Sequence, residues 1–302
     1  MSAVFFDHAS IDAWIAEDAP HLDLTTHLLG IGQRNACMRL VLRTQATAAC
    51  TEEAARLVQH CGGQVLELLP SGSAAAPGSV LLRAAGQAQA LLRAWKVAQN
   101  LLEYACGVAA ATARMVQAVQ AVAPQVAVLT TRKHPPGLRR IALKATLSAG
   151  AFPHRLGVGE TLLVFPQHRV LLGDADAQAG GDSSDGDDGD EGHWQALGQR
   201  LAQRKAWLSE KKCVIEAHTL QEALQAAAIG AEVVQLDKAT PEQLQAWCPV
   251  LRQQHPGLRL LAAGGIRPDN AAAYAASGVD ALVTSSLHYA PPADIGVQIT
   301  PQ

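Results

Sequence analysis

The sequence predicts an α/β chain whose second half is a parallel sheet clad by helices, and three observations point there. From residue 126 onward six short apolar runs (126–131, 161–165, 212–217, 232–237, 259–263 and 281–284) alternate with helical patterns at 137–149, 194–209, 219–229, 241–254 and 268–277. Polar or glycine residues recur at or just past the C-terminal ends of these runs: Thr131-Arg132-Lys133, Glu216, Asp237, Gly264-Gly265 and Ser285-Ser286. That placement favours a barrel over an open doubly wound sheet, because a barrel gathers such ends at one mouth. The 302 residues are 49% hydrophobic but 4% aromatic, enough for a core filled by Leu, Val and Ala.

The N-terminal elements follow from caps and periodicity. Residues 10–18 read as a short helix capped by Ser10, with Ile11, Trp14 and Ile15 on one face. His21-Leu-Asp-Leu-Thr-Thr is polar and turn-like. Residues 36–49 alternate as strand material, 51–61 form a helix ending at Gly62-Gly63, and 64–69 and 79–84 are strands. A helix over 87–105 has Leu91, Leu92, Trp95, Ala98, Leu101 and Leu102 spaced for one face. Gly107 is expected to break it, with a second helix over 109–122 stopped ahead of Pro124. The tail APPADIGVQITPQ is too proline-rich for another βα unit and is expected to pack back on the N-terminal half.

Composition excludes several classes. No apolar run reaches membrane length, since Lys96 and Arg114 interrupt the best candidates. The first residues lack the pattern of an export signal, and six scattered cysteines without a C-x-x-C pair read as reduced thiols. The expected location is the cytoplasm. Eight of the acidic residues lie in 173–192, which reads as a disordered, solvated insert. Without it 24 basic residues would face 19 acidic ones, a mildly cationic body suited to an anionic small substrate. The insert lacks the ligand order of an EF-hand loop. No basic patch interleaved with aromatics points to nucleic acid. The absence of a Walker loop and of G-x-G-x-x-G argues against nucleoside triphosphatases and Rossmann dehydrogenases.

Four groups of residues carry candidate chemistry. Arg132 and Lys133, side by side before Pro135-Pro136, suit a multiply charged anion, although for the loop alone a solvated basic turn is the better explanation. His154-Arg155 would reinforce that anion site or be an ordinary polar pair. Glu216 and Asp237 end apolar strands, where carboxylates are costly unless paired or metal-bound. They suit Mg²⁺ or a ribose diol, and the bland alternative is an ion pair with Lys238. Gly264-Gly265 and Thr284-Ser285-Ser286 follow the last two strands, the usual phosphate-binding position of β/α barrels.

These motifs together resemble one family. Thr131-Arg132-Lys133-x-x-Pro136-Gly137, Gly150-x-x-x-His154-Arg155-Leu-Gly157, Glu216, Leu236-Asp237, Gly264-Gly265-Ile266 and Asp294-Ile-Gly296 resemble quinolinate phosphoribosyltransferase, also called nicotinate-nucleotide pyrophosphorylase. So do Glu17-Asp18, Asp23-Leu-Thr-Thr26 and Asn100-Leu-Leu-x-x-x-x-Gly107. Arg132-Lys133-His-Pro-Pro-Gly137 with Glu160-Thr-Leu-Leu-Val-Phe165-Pro-Gln-His168-Arg169 is similar to the ModD branch, associated with molybdenum transport and utilisation.

The resemblance implies an N-terminal α/β sandwich, residues 1–112 with 287–302 packed back, and a six-stranded α/β barrel of type II phosphoribosyltransferase kind over 113–286. It also implies a homodimer in which each active site is completed by the partner subunit. By residue match Arg132, His154 and Arg155 would hold a dicarboxylate near Thr131. Lys133, Glu216 and Asp237 would hold phosphoribosyl pyrophosphate and its Mg²⁺, and Gly264, Gly265 and Ser285 the 5′-phosphate. Two positions depart from the pyridine-nucleotide enzymes. A lysine there is Phe165 here, and an arginine reaching in from the partner is Lys96. Both changes weaken recognition of a dianionic pyridine. The implied activity is therefore phosphoribosyl transfer with quinolinate or a less anionic acceptor. The rival is a non-catalytic oxyanion binder in molybdenum handling.

Overall fold

The computed structural model describes residues 4–172 and 188–302, side chains of 188–191 aside. In chain order its first elements are α1 (His8–Asp18), α2 (Leu24–Leu28), β1 (Asn35–Leu42), β2 (Ala46–Thr47), α3 (Thr51–His60) and β3 (Gln64–Leu68). β4 (Ala74–Ala75), β5 (Val80–Gln87), α4 (Ala88–Val122), β6 (Ala127–Thr130), α5 (Arg139–Ser148) and β7 (Phe152–Pro153) follow. Then come β8 (Leu162–Val164), α6 (Pro166–Arg169), α7 (Asp188–Gln203), β9 (Cys213–Ala217), α8 (Leu220–Ala228) and β10 (Val233–Asp237). The last are α9 (Pro241–Gln254), β11 (Arg259–Ala263), α10 (Ala271–Ala275), β12 (Ala281–Thr284) and β13 (Ile295–Pro301). The chain forms two compact units. The first holds residues up to Gln117 with Lys133–Pro153 and Ser285–Gln302, and the second holds Ala118–Arg132 with His154–Thr284.

The first unit is an antiparallel sheet, ordered β13-β1-β5-β3, covered by helices. Alternation along β1 sends Met38, Leu40 and Leu42 into a core with Leu57, Val58, Leu91 and Leu102. β13 pairs along the whole of β1, Leu42 to Ile295 and Ala36 to Pro301, so the tail is part of this sheet.

Several local expectations are corrected here. The cap of α1 is Asp7, whose carboxylate accepts from the Ser10 amide at 2.8 Å. The turn expected near residue 23 contains α2, because Asp23 accepts from the Thr26 amide at 3.0 Å and caps one turn of helix. The strand expected over 36–49 ends at Leu42 and resumes as β2. Most plainly, α4 is one 35-residue helix that Gly107 does not break. A Cβ on Gly107 would lie 2.3 Å from the Pro291 carbonyl oxygen, and the Ala293 amide donates to the Glu103 carbonyl at 2.8 Å. Glycine stands there to let the tail cross the helix backbone.

A buried charge triad ties α5 to α3. Lys144, 3% exposed, donates to Glu52 at 2.7 Å and also to Glu53, itself buried, while the Ser71 amide and hydroxyl donate to Glu52. Burial works against the Glu52 charge, but the bonds from Lys144 and Ser71 prevail and bring its pKa down to about 2.

The second unit contains six parallel strands in the order β6-β12-β11-β10-β9-β8. Both faces are buried, as a parallel sheet requires, with Leu261, Ala263, Ala281 and Val283 clustered on one and Leu260, Ala262 and Leu282 on the other. Among the described residues no ladder joins β6 to β8, so the row is a half-barrel in place of a closed ring. The acidic insert expected over 173–192 lies outside the described residues as far as 187. From Asp188 the chain is helical, so α7 starts earlier than the expected 194. The helix expected over 268–277 shrinks to the five residues of α10. All six cysteines are free, and no described helix is long and apolar enough to cross a membrane.

Replacing Lys144 with methionine would leave Glu53 buried without its cation, and the expected cost is about 3–5 kcal/mol. Urea unfolding followed by circular dichroism measures it. The Glu52 contribution is complete above its ordinary pKa of 4.5 and drains as pH falls toward about 2. Wild-type stability should therefore drop over that window, and the Lys144→Met variant should start lower and lose less.

Candidate active site

Parallel register sets the site. Thr130 pairs with Thr284, Val283 with Ala263, Ala263 with Asp237, Gln235 with Glu216, and Val164 with Ile215. Strands paired this way end on one edge of the sheet. From that edge leave Thr131-Arg132, Gly264-Gly265, Lys238, His218 and Phe165.

The acidic part is built on β9 and β10. Glu216 and His218 are two residues apart, His218 lying one residue past the end of β9, while Gln235 and Asp237 share a face of β10. The cross-strand partner Gln235 donates its amide to Glu216 at 2.7 Å. His218 lies between the acids, its Nε2 3.8 Å from Glu216 and its Nδ1 3.9 Å from Asp237. One donor atom from each of the three falls within 4.8 Å of the others, a grouping able to hold a metal ion. Gln235 Oε1 is buried and has no hydrogen-bond partner among the described residues.

Backbone geometry presses the glycine turn against this cluster. Lys238 adopts a left-handed φ of 61°, and its amide donates to the Ala263 carbonyl at 2.8 Å. A Cβ on Gly264 (φ 86°) would lie 2.7 Å from the Lys238 nitrogen and 2.9 Å from an Asp237 carboxylate oxygen. Only glycine fits. Gly265, also left-handed, borders open space. Asn270 braces the turn, accepting from the Arg267 amide at 2.8 Å and donating to the Gly265 carbonyl at 3.1 Å. Thr284 donates to the Ile266 carbonyl at 2.8 Å from the next strand.

The cationic part hangs on the end of β6. The Thr131 amide donates to the Thr284 carbonyl at 2.9 Å, and the His154 amide to the Thr130 carbonyl at 2.9 Å. Burial lowers the His154 pKa, and the Arg155 charge lowers it further, against an opposing pull from Glu160. Arg155 is itself pulled down by burial and by the Arg132 charge. Arg132, His154 and Arg155 are thus gathered into one electrostatic neighbourhood in which Glu160, bonded to the Leu156 amide, is the acid that registers.

Phe165 stands at the end of β8, half-buried, its ring stacked on His168 at 5.6 Å. The Phe165 amide donates to His168 Nδ1 at 2.9 Å. Next to it, buried Arg169 donates to the Glu216 carbonyl at 2.8 Å and to the Glu222 carboxylate at 2.6 Å, with its guanidinium 4.2 Å from the Trp194 ring centre. Glu222 in turn accepts from the His218 amide at 2.5 Å. This network holds the backbone that carries Glu216 and His218.

The second unit thus gathers Thr131, Arg132, His154, Arg155, Phe165, Glu216, Asp237, Gly264 and Gly265 along the strand-end edge. Lys133, Lys96 and Ser285 belong to the first unit. There Lys133 is exposed on its loop, and Lys96 donates to Gln99 at 3.0 Å and lies over the Trp95 ring. Ser285 precedes a short 3₁₀ turn, Ser286–Tyr289. The ion pair once open for Asp237 with Lys238 is replaced by His218 as the facing group. Sequence reasoning passed over His218 and Gln235, although the period-two spacing of Glu216-x-His218 and Gln235-x-Asp237 was available to find them. Arg169 and Glu222, 53 positions apart, left no such signal.

An antiparallel-sheet unit and a parallel half-barrel unit, the latter with acids, cations and a glycine turn on its strand-end edge, define the architecture of the chain. Residues 23–106 match the N-terminal domain of quinolinate phosphoribosyl transferase, and residues 108–182 and 190–298 its C-terminal domain. The chain belongs to that family, and is an enzyme of the phosphoribosyltransferase, hence glycosyltransferase, class. It is 40% identical over 266 residues to the ModD pyrophosphorylase of Rhodobacter capsulatus, covering 88% of this chain and 95% of that one. It is 30% identical over 285 residues to the human nicotinate-nucleotide pyrophosphorylase [carboxylating], covering 94% and 88%. The NadC structure from Streptococcus pyogenes superposes with a TM-score of 0.82 at 21% identity, covering 97% of this chain and 96% of that one, which shows the shared fold.

In a titration followed by NMR, His154 is expected to have a midpoint below 6.5, and Arg155→Met should raise that midpoint without restoring the ordinary value, since burial is the larger cause. Gly264→Ala should push against Lys238 and Asp237 and cost more than about 1 kcal/mol in urea unfolding, with the fold retained by circular dichroism.

Proposed function

We propose that this enzyme transfers the phosphoribosyl group of phosphoribosyl pyrophosphate, with Mg²⁺, to the ring nitrogen of an anionic heterocycle. It is then a ModD-like enzyme of the nicotinate-nucleotide diphosphorylase (carboxylating) type, with quinolinate as the model acceptor. The observation that carries this reading is the pairing of the Glu216–His218–Asp237 group with the Arg132–His154–Arg155 neighbourhood on one strand-end edge. The donor set fits a hard divalent cation: two carboxylates converge beside a buried amide oxygen, Gln235 Oε1, that has no hydrogen-bond partner among the described residues. When bound, Mg²⁺ supplies positive charge to the departing pyrophosphate.

The chain's own groups do the remainder. Transfer breaks the C1–O bond to pyrophosphate and forms a C1–N bond, so positive charge builds on the ribose and negative charge on the leaving group. Glu216 and Asp237 position the cation and the ribose hydroxyls, and stabilise the ribose charge. Gly264 and Gly265 offer backbone to the 5′-phosphate. Arg132, His154 and Arg155, beside Thr131, hold the acceptor's carboxylate, and would favour the negatively charged ring left by decarboxylation. The family resemblance gives Lys133 to the pyrophosphate and Ser285 to the 5′-phosphate. It also gives a cytoplasmic homodimer in which Lys96 of the partner subunit completes each site. Phe165 replaces a cation by an aromatic face, which shifts preference toward an acceptor with fewer carboxylates.

Phe165 also favours a second reading, oxyanion binding in molybdenum utilisation without catalysis. Pyrophosphate release with phosphoribosyl pyrophosphate, Mg²⁺ and a panel of pyridine and purine acids decides between them. Release that falls at least a hundredfold in Glu216→Gln supports the enzyme, with Phe165→Lys expected to lower KM for quinolinate. No release with any acceptor, together with calorimetric binding of molybdate alone, supports the binder.

A further inference from the structure

We infer that His218 is a third metal ligand, and that it adds affinity for a late first-row transition ion to a Glu216–Asp237 site that also takes Mg²⁺. The inference rests on the metal-dependent reading above and deepens it. Three observations carry it.

The first is distance. Gaps of 3.8 and 3.9 Å from His218 to the two carboxylates are too long for hydrogen bonds. Either gap, Nε2 to Glu216 or Nδ1 to Asp237, matches two donor atoms that share one ion, since bonds of about 2.0–2.2 Å place donors at most about 4.4 Å apart. Closing the three-atom group, which spans up to 4.8 Å, takes a shift of a few tenths of an ångström in side chains ending at the sheet edge. One ring nitrogen of His218 binds the ion, and the other stays on the side of the second carboxylate.

The second is preorganisation. His218 is not a side chain on a loose loop. Its amide donates to Glu222 at 2.5 Å, and Glu222 is held by Arg169, which also donates to the Glu216 carbonyl. One buried guanidinium thereby fixes the backbone of both β9 donors. Such support of ligand-bearing residues is usual around built metal sites.

The third is the unused oxygen. Gln235, 5% exposed, spends its amide nitrogen on Glu216 and leaves Oε1 unpartnered among the described residues. A water coordinated to an ion between Glu216 and Asp237 would donate to it. Two carboxylates, one imidazole and room for water form a mixed N/O set. Imidazole adds little for Mg²⁺, which keeps to oxygen, and much for Co²⁺, Ni²⁺ or Zn²⁺.

The test is isothermal calorimetry of the full-length protein with Co²⁺ and with Mg²⁺, alongside the visible absorption of the Co²⁺ form. Wild type, His218→Asn and Glu216→Gln are compared. The expected result is that His218→Asn weakens Co²⁺ at least tenfold, moves its absorption band and changes Mg²⁺ affinity by less than twofold. The inference is overturned if His218→Asn leaves Co²⁺ affinity and spectrum unchanged, or weakens both ions equally. In either case Glu216→Gln still abolishing Mg²⁺ binding would leave the metal-dependent reading standing. Mg²⁺ binding that Glu216→Gln does not touch would remove that reading as well.

Discussion

The hydrogen-bonded register of the parallel strands is the constraint on which the site depends. A parallel ladder fixes strand direction, so every C-terminal end falls on the same edge. Each ladder also fixes which residue faces which. Gln235 faces Glu216 because β10 and β9 pair in that phase, and Asp237 faces Ala263, which brings the Gly264 turn over its carboxylate. A slip of one residue in either ladder would send one of the two acids to the other face of the sheet. The surrounding bonds, Thr131 to Thr284 and Thr284 to Ile266, extend that alignment into the loops.

Charge is distributed unevenly along this edge. The end of β6 and the loop after β7 carry Arg132, His154 and Arg155, and the last two have their pKa lowered by burial first and by a neighbouring arginine charge second. The ends of β9 and β10 carry carboxylates. Between these groups in the chain stands Phe165, its ring stacked on His168, an aromatic surface set among charged groups.

The strands of the second unit were legible because short β-branched runs bounded by turns have few other meanings, and all six appear within a residue or two of where the pattern put them. Glu216 and Asp237 were legible because a carboxylate ending an apolar run is costly without a purpose. Illegible features share another trait: their cause is remote in sequence. Gly107 looked like a helix breaker and is instead the point where Pro291 crosses the helix. The Arg169–Glu222 bond, like the Lys144 triad, depends on elements that periodicity cannot pair. α2 was missed for a smaller reason, since a single turn capped by Asp23 has too few residues to show a period. His218 was hidden by its neighbours' louder signal, although the strand's twofold alternation pointed to it.

The seating of β13 on β1, with Ala293 bonded back to Glu103, has a consequence for synthesis. Folding on the ribosome runs from the amino end, yet the sheet begun by β1 waits for residues 295–301 to leave the exit tunnel. Until then β1 offers a bare edge to other chains. Chaperone occupancy of the nascent chain turns on this late-arriving strand.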